Sequence, residues 1–423
     1  MTTGTLALII LAVILAQVAI VVLLGLYRRR RQYRNLDKGT HGTENISKTN
    51  TPSRSSTEAA SSDLIWEGFK EFIVQRREVE DGNNTVCSFY LVPADGKPLA
   101  AFRPGQFLTF KLQVEDRRTN KLKSVVRCYS LSDAPRSDYY RISIKRIPAP
   151  TDQPDVPAGV SSSFFHDHVR EGSRLLVKAP SGHFHLMEEE PLPIVLIAGG
   201  IGITPMLSIL NTALETGTNR EIWLYYGVRN GGEHIMKQHL QALAKTHDNF
   251  HLHVCYSAAN EDDVEGVDYQ HNSRVTIALL RTTLKLMHYQ FYVCGSKPLM
   301  ESLVPGLEDW GVDSDDIFYE SFGPATLIKH EKAASTTTQP VTVTFSRSGK
   351  SILWDPAAIS LLEFAEANDI EVESGCRAGS CGSCQTAVKA GEVDYNQEPD
   401  TDVMQGHCLL CISTPKSDLT LDA

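Results

Sequence analysis

The spacing of apolar residues divides most of the chain into two stretches with different periods. Between residues 66 and 190, short runs such as 85–91 and 140–145 alternate apolar and polar positions, and Gly, Pro and Asp turns separate them. A period of two is typical of half-buried strands, so we predict an antiparallel β-barrel. Between residues 193 and 324, apolar strands alternate with helical stretches, which predicts an α/β domain with helices on both faces of a parallel sheet.

The elements that follow the barrel can be placed individually. We predict strands at 194–198, 221–226, 252–256 and 291–294, and helices at 206–214, 234–245, 275–281 and 297–311. A linker containing three consecutive threonines follows at 329–340. Two short strands, a helix at 359–368 and a cysteine-rich loop come after it, which predicts a small α+β domain.

A continuous apolar run lies near the start of the sequence. Residues 6–26 are apolar or glycine at every position except Gln17, and a run of 21 residues can cross a hydrocarbon core of about 30 Å as a helix. Six basic residues follow within 28–38 and none precedes the run, unlike the arrangement in a cleaved signal peptide. We therefore predict a transmembrane helix at 5–27 that crosses the cell (inner) membrane once and leaves the later domains in the cytoplasm.

Length and composition indicate several globular domains. A chain of 423 residues with 42% hydrophobic and 22% charged residues is too long for one core. The predicted bounds are 28–62 for a basic flank and flexible linker, 63–190 for the barrel, 191–328 for the α/β domain and 341–423 for the last domain. Residues 1–38 hold six basic side chains and one acidic, so the remainder holds 35 basic against 50 acidic, a net charge of −15. That charge excludes nucleic-acid binding through a general field.

Four cysteines in the last domain have a spacing that few structures need. Cys376, Cys381 and Cys384 form a C-x4-C-x2-C pattern and Cys411 follows, which is the ligand spacing of plant-type [2Fe–2S] ferredoxins. Zinc sites usually pair two C-x2-C clips, and disulfide frameworks suit small secreted domains, so both alternatives fit less well. The spacing therefore predicts a [2Fe–2S] cluster.

The fourth cluster ligand can be chosen from two cysteines, Cys408 and Cys411. We favour Cys411 because residues 409–415 resemble the strand that carries the last ligand in plant-type ferredoxins. This resemblance implies that 341–423 is a β-grasp ferredoxin domain. The glycines that let the backbone fold tightly round the cluster are Gly375, Gly379 and Gly382.

A glycine-rich loop follows the first predicted strand of the α/β domain and directly precedes a predicted helix. Glycines let the backbone approach a pyrophosphate, and a helix N-terminus stabilises its negative charge. The loop therefore predicts a dinucleotide site, with a tight structural turn as the alternative. Its candidate binding residues are Gly199, Gly200, Gly202, Thr204 and Pro205.

Two short motifs in the barrel suit a flavin when they occur together. Arg127, Tyr129 and Ser130 end a predicted strand, and residues 159–162 open a helix predicted at 163–169. An arginine can neutralise a pyrophosphate, a tyrosine can lie against an isoalloxazine ring, and helix N-terminal amides can bind phosphate. Each motif alone also fits a surface strand or an ordinary helix cap.

In this order the motifs resemble the ferredoxin–NADP reductase superfamily over residues 66–324. Trp66-Glu67-Gly68, Arg103-Pro104-Gly105-Gln106-Phe107 and Glu320-Ser321-Phe322-Gly323-Pro324 are particularly similar to the reductase module of flavohaemoglobins. The resemblance implies a flavin barrel followed by a nicotinamide domain. It implies flavin contacts from Phe107, Arg127, Tyr129, Ser130 and Phe322, and contacts to the flavin phosphates from Gly159, Val160, Ser161 and Ser162.

The resemblance also implies which residues lie at the reacting atoms. Glu320 would lie close to the flavin ring, and Cys294, followed by Gly295, matches the position where a cysteine approaches the nicotinamide. A buried core cysteine is the alternative for Cys294. Together with Ser130, these two residues are the predicted catalytic residues. Phe107 stands where flavohaemoglobins have a tyrosine, so a hydroxyl role is lost there.

The same resemblance guides the choice of cofactors. FAD is favoured over FMN because flavohaemoglobin modules use FAD, while reductases with this domain order occur with either flavin. NADPH-specific members place serine, arginine or lysine after the strand that corresponds to 252–256. This chain instead has Glu261, Asp262 and Asp263. Carboxylates repel a 2′-phosphate, so we predict NADH, although Arg229 and Arg274 could compensate.

These features predict a membrane-anchored, NADH-dependent reductase. Electrons would pass from NADH to FAD, then to the [2Fe–2S] cluster, and singly to a protein acceptor such as an oxygenase, a desaturase or a hybrid-cluster-type protein. The ferredoxin domain holds five basic against thirteen acidic side chains, a net charge of −8, which predicts a basic docking face on the acceptor. One alternative is the NADH-input subunit of a membrane quinone-reductase complex, whose family places the ferredoxin before the flavin domain. A non-enzymatic iron–sulfur carrier is another.

Overall fold

The structure, a computed structural model, describes residues 66–116, 121–149, 157–187, 190–322, 340–377, 379, 381–396, 399 and 401–423. The predicted transmembrane helix 5–27 and the linker 28–62 lie outside these residues, as do positions 329–339 of the second predicted linker. Within the described ranges, no helix combines the length and the apolar character that a bilayer crossing requires.

Alternating apolar residues form the predicted antiparallel sheet of the flavin domain. Its strands are β1 (Lys70–Val79), β2 (Val86–Pro93), β3 (Phe107–Asp116), β4 (Lys121–Ser130), β5 (Tyr140–Lys145) and β6 (Arg174–Ser181). They lie in the order β4-β3-β6-β1-β2-β5, with antiparallel pairs throughout. A bridge between Leu131 and Ile142, and a hydrogen bond of 2.8 Å from Ser132 N to Arg141 O, join the two edge strands. The sheet therefore closes into a barrel.

One aromatic core fills the barrel. In β1, Phe72 and Val74 are buried while the residues beside them are half-buried or exposed, as the period of two requires. Helix α1 (Val160–His168) adds Phe165 to this core. The helix begins three residues before its predicted start at 163, so residues 160–162 form its first turn. The other buried rings are Phe89, Phe102, Phe110 and Tyr140.

A five-stranded parallel sheet forms the nicotinamide domain, in the order β11-β10-β7-β8-β9. Its strands are β7 (Ile194–Gly199), β8 (Ile222–Val228), β9 (Phe250–Tyr256), β10 (Gln290–Gly295) and β11 (Ile317–Ser321). Its helices are α2 (Ile203–Glu215), α3 (Lys237–Thr246), α4 (Ile277–Thr283) and α5 (Lys297–Asp309).

Helices cover both faces of this parallel sheet. Ile194 and Leu196 of β7 belong to the core that includes Leu210 of α2, whereas Val195 and Ile197 belong to a second core on the opposite face. That second core contains residues of α4 and α5. Because both faces are buried, the strands are continuously apolar.

The ferredoxin domain is a mixed sheet with one helix. Its strands are β12 (Thr342–Phe345), β13 (Lys350–Leu353), β14 (Gln385–Ala390), β15 (Val393–Tyr395), β16 (His407–Leu409), β17 (Ser413–Pro415) and β18 (Leu419–Leu421). Five of them form a sheet in the order β13-β12-β18-β14-β16, and β15 pairs with β17. Helix α6 (Leu361–Ala367) begins after Ser360, whose side chain accepts a hydrogen bond from Glu363 N, and it is shorter than the predicted 359–368.

The expectation that Cys411 lies in a strand was wrong, while its role as the fourth ligand stays a prediction. Cys411 does not lie within a strand, because β16 ends at Leu409 and β17 begins at Ser413. It lies in the turn between these strands, and a turn can direct a side chain away from the plane of the sheet.

Candidate functional site

The four cysteines predicted as cluster ligands form two close pairs. Cys376 and Cys381 each donate a backbone N–H to the sulfur of the other, at 3.2 and 3.3 Å. The sulfurs of Cys384 and Cys411 are 3.2 Å apart. Two pairs of sulfurs supply the donors that two irons need, so this set fits a [2Fe–2S] cluster.

Backbone conformation explains the residues between these cysteines. Arg377, Gly379 and Gly382 have φ values of +58°, +79° and +66°, which favour glycine. A Cβ at Gly375 would lie 2.7 Å from the sulfur of Cys381, and a Cβ at Gly379 would lie 2.7 Å from the Ile412 side chain. Gly375 and Gly379 therefore have no room for a side chain, which keeps the backbone of the loop close to the sulfur of Cys381 and supports the fit to a cluster.

Hydrogen bonding also favours the ligand form of one cysteine. Hydrogen bonds from Cys128 and Cys376 lower the pKa of the Cys381 thiol despite its burial. A thiolate is the form of cysteine that binds iron. Cys128 lies in the barrel strand β4, so residues from two domains meet at this sulfur.

The predicted flavin residues lie where β4 meets the start of α1. The hydroxyls of Tyr129 and Ser161 are 2.8 Å apart, which joins the two motifs identified from the sequence. Ser162 Oγ donates to the Gly159 carbonyl at 3.1 Å and accepts from Ile147 N at 3.2 Å. No side chain caps the first turn of α1, so backbone N–H groups there could bind a phosphate.

The remaining residues of the predicted flavin set differ in exposure. Phe107 is buried, and a Cβ at Gly182 would lie 2.8 Å from its ring; together with the φ of +116° at Gly182, this approach requires glycine there. Phe322 is exposed at the end of β11, where a planar ring could cover it. Arg127 donates to the Val126 carbonyl at 2.7 Å and stays half-buried.

The predicted dinucleotide residues meet at the carboxyl ends of β7 and β10. These strands are parallel neighbours, so Gly199 and Gly295 approach each other, and a Cβ at Gly295 would lie 3.2 Å from the Gly199 backbone. A Cβ at Gly202 would lie 2.3 Å from the Cys294 carbonyl oxygen. Gly200 has φ +55°. Thr204 and Pro205 lie in the first turn of α2, whose N-terminus has no side-chain cap and could bind a pyrophosphate.

The three predicted catalytic residues come together at the junction of the two domains. Cys294 on β10 is the register partner of Glu320 on β11. Ser130, at the end of β4, donates a hydrogen bond of 3.3 Å to Glu320 Oε2. Desolvation raises the pKa of Glu320 to about 8. The pKa of Cys294 is also raised, mainly by burial and to a smaller extent by the nearby Glu320. At neutral pH the junction therefore holds a protonated carboxyl and an uncharged thiol.

Sequence reasoning missed the contacts that join the two domains. Asp133, which follows the barrel strand β4, accepts hydrogen bonds from the Tyr139 hydroxyl and from Asn211 Nδ2 of α2, both at 2.8 Å. Arg136 pairs with Glu215 at the end of the same helix. No local motif marks Asp133 as a contact between the domains, because its partner Asn211 lies far away along the chain.

Comparison with known proteins agrees with this geometry. Residues 196–304 match the oxidoreductase NAD-binding domain family, and residues 343–416 match the 2Fe-2S iron-sulfur cluster binding domain family. The FAD/NAD-binding domain of nitric oxide dioxygenase from Vibrio cholerae is 32% identical with a TM-score of 0.52, and the match covers 61% of this chain and 100% of that one. The chain belongs to the ferredoxin–NADP reductase superfamily.

Two further comparisons describe the extent of the similarity. The flavohemoprotein of Halalkalibacterium halodurans is 38% identical over 260 residues, which are 62% of the reductase and 61% of that relative. The reductase thus spans about three fifths of the length of the curated relatives it matches. Phthalate dioxygenase reductase is 27% identical with a TM-score of 0.50, over 84% of the reductase and 98% of that chain.

These matches confirm the predicted resemblance and the class of enzyme. The reductase is an NAD(P)H-dependent iron–sulfur flavoprotein oxidoreductase that uses FAD, a [2Fe–2S] cluster and NADH. The roles of single residues stay predictions, and two of them can be tested directly.

The first test concerns the fourth ligand. Cys411→Ser should bleach the brown cluster absorbance, because the sulfur next to Cys384 is lost. Cys408→Ser is the matched control, since Cys408 is buried in the core of the ferredoxin domain, pairs with Thr386 of β14 and should keep the absorbance. Visible and EPR spectra measure both, and bleaching by Cys408→Ser alone would reverse the assignment.

The second test concerns the carboxyl of Glu320. The pKa of a glutamate in an unfolded chain is about 4.3, whereas the pKa of folded Glu320 is about 8. Folding stability should therefore fall as pH rises between these two values. Glu320→Gln mimics the protonated form and should remove this part of the pH dependence. Thermal unfolding midpoints of the flavin-loaded protein between pH 5 and about 9 measure it. Parallel curves for the two proteins would show that Glu320 ionises normally.

Proposed function

We propose that this reductase oxidises NADH and passes the electrons through FAD and the [2Fe–2S] cluster to a protein acceptor, such as an oxygenase, a desaturase or a hybrid-cluster-type protein. The observation that carries the proposal is the contact between the flavin barrel and the cluster loop, where Lys178 Nζ donates to the Cys381 carbonyl oxygen at 3.4 Å. It joins the two redox sites within one chain. The similar phthalate dioxygenase reductase is described as a modular structure for electron transfer from pyridine nucleotides to [2Fe-2S], which supports this order.

Different residues of the chain would bind the dinucleotide, position the flavin and control the charge near the reacting atoms. The loop of Gly199, Gly200 and Gly202 holds the dinucleotide phosphates at the start of α2, and Tyr129 holds the flavin against the barrel. FAD accepts a hydride as two electrons when it is bound, and the cluster carries one electron at a time. Glu320, protonated at neutral pH, keeps negative charge away from the hydride path.

The preference for NADH is supported by contacts at the ends of β8 and β9. Asp263 Oδ2 accepts from Gly231 N at 3.1 Å and from Asn260 N at 2.7 Å, so its carboxylate occupies amide donors that a 2′-phosphate could use. Arg229, one of the arginines that could compensate, pairs with Glu233 at 3.0 Å. The loop therefore offers a phosphate a negative charge and few free donors.

Cofactor preference gives the third prediction. NADH should exceed NADPH in kcat/KM by at least about tenfold, which corresponds to about 1.4 kcal/mol. Asp263→Asn should narrow the ratio through a lower KM for NADPH, while Asp262→Asn, an exposed neighbour, should narrow it less. Steady-state rates with both nucleotides measure the ratios. Equal efficiency in the unmodified protein would contradict the preference.

The acidic ferredoxin domain supports an exit for electrons at the cluster. Its net charge of −8 should attract a basic acceptor toward the cluster, and this attraction should weaken as salt screens the charges. The flavin is then the entrance for electrons and the cluster is the exit.

The fourth prediction tests this path and the proposed function together. Cys381→Ser removes a cluster ligand, so NADH-driven reduction of cytochrome c, a basic one-electron acceptor, should be lost. Ferricyanide reduction, which can draw on the flavin, should largely survive and serves as the control. In the unmodified protein the cytochrome c rate should fall steeply with salt. An unchanged cytochrome c rate in the variant would mean that electrons leave from the flavin.

We also propose that the reductase is attached to the cell (inner) membrane by residues 5–27, with its other domains on the cytoplasmic side. The apolar run at 6–26 and the basic residues that follow it support this proposal. The linker at 28–62 is rich in small polar residues, which suits a tether that lets the catalytic domains reach a partner.

Attachment gives the fifth prediction. Deleting residues 1–34 should release the protein from membranes with unchanged NADH oxidation, because the chemistry lies beyond the linker. Fractionation of cells and ferricyanide activity of the purified truncation measure the two effects. A full-length protein that is found away from membranes would contradict the proposed anchor.

A further inference from the structure

Three lysines of the flavin barrel contact the ferredoxin domain, and we call them the docking lysines. Lys111 lies on β3, Lys123 on β4 and Lys178 on β6, and the sheet order places these strands side by side. The Nζ atoms of Lys111 and Lys178 both lie over the ring of Phe69, at 5.8 and 5.3 Å from its centroid. Cation–π contacts with one ring keep two of the ammonium groups on one patch.

Each docking lysine meets the segment that leads into, or forms, the cluster loop. The contacts are Lys111 Nζ to Glu373 Oε1 at 3.2 Å, Lys123 Nζ to Glu371 Oε1 at 3.3 Å, and Lys178 Nζ to the Cys381 carbonyl oxygen at 3.4 Å. The lysines come from three strands while their partners span only eleven residues. The barrel therefore contacts the ferredoxin domain at the cluster loop.

The docked cluster loop lies against the flavin motif. Cys128 stands between Arg127 and Tyr129 in the sequence, and its side chain lies close enough to the side chain of the predicted ligand Cys381 for the two to interact. Thr109 Oγ1, on the neighbouring strand β3, lies 3.3 Å from the Cys128 sulfur and fixes its position. One residue thus connects the strand of the flavin motif with the loop that holds the cluster.

The exposure of the acidic partners makes this contact reversible. The side chains of Glu371 and Glu373 are 89% and 61% exposed, and ion pairs between exposed side chains contribute little and are screened by salt. The ion pairs can thus orient the loop while the domain is docked and still let the domain leave the barrel. A domain that delivers electrons to a separate protein needs both properties.

We propose that Lys111, Lys123 and Lys178 are positioning residues that dock the cluster loop against the flavin motif for the electron transfer between the two redox sites. This inference rests on the proposed function. The step moves one electron, oxidising the flavin and reducing the cluster, and it forms or breaks no bond to the lysines.

Docking itself can be measured without electron transfer. A carbodiimide joins a lysine to a carboxylate only when the two touch, so the full-length, cofactor-loaded protein should give Lys111–Glu373 and Lys123–Glu371 cross-links in peptide mass spectra. Their yield should fall as salt rises. Absence of both cross-links at low salt would overturn the proposal.

Charge reversal then tests the positioning role. In Lys111→Glu/Lys123→Glu, stopped-flow mixing with NADH should show unchanged flavin reduction and cluster reduction slowed by at least about tenfold, because misplaced redox sites react slowly. The EPR spectrum of the chemically reduced cluster should be unchanged. Lys121→Glu is the matched control: it lies on β4 and makes no ion pair among the described residues, so it should react as the unmodified protein does.

Rescue distinguishes positioning from damage to the fold. Adding Glu371→Lys/Glu373→Lys to the charge-reversed variant exchanges the signs and should restore most of the cluster reduction rate. Cluster reduction at the unmodified rate in the charge-reversed variant, or failure of the exchange to restore it, would overturn the proposal. If NADH failed to reduce the cluster even in the unmodified protein, the proposed function would be wrong instead.

Discussion

The parallel pairing of β10 with its neighbours β7 and β11 is the constraint on which the nicotinamide site depends. Parallel strands bring their carboxyl ends to one edge, so the glycine loop after β7, Cys294 on β10 and Glu320 on β11 meet without any direct bond between them. The approach is close enough that a single methyl group at Gly202 would overlap the Cys294 carbonyl. Backbone geometry therefore decides which residues this edge can hold.

A second set of interactions places the barrel against this edge. Ser130 reaches Glu320 from the end of β4, and Asp133, three residues later, holds Asn211 in the middle of α2. One short segment of the barrel therefore contacts both β11 and α2, the helix that begins at the glycine loop. Buried hydrogen bonds of this kind are costly to break on one side, which favours a fixed angle between the two domains. The contact with the ferredoxin domain is of a different kind, because exposed ion pairs contribute to it.

The sequence alone predicted the features that depend on local spacing. The cysteine loop, the glycine loop and the alternation of strands and helices are each encoded in a short segment, and the structure has them close to their predicted bounds. Long-range contacts were not predictable in this way. Nothing beside Asp133 in the sequence points to Asn211, and Lys123 meets Glu371 only because the folded chain brings β4 to the cluster loop. The wrong strand assignment for Cys411 has a similar cause, since a turn between two short strands has the same apolar composition as a strand.

In the proposed function, both redox sites lie on one electron path that begins at NADH. An anaerobic titration of the purified full-length protein with NADH, followed by flavin absorbance and by EPR, tests this most directly. FAD accepts two electrons and the cluster accepts one, so about one and a half NADH should bleach the flavin and produce the EPR signal of a reduced [2Fe–2S] cluster. Bleaching of the flavin with no cluster signal, in a protein whose cluster dithionite does reduce, would contradict the account.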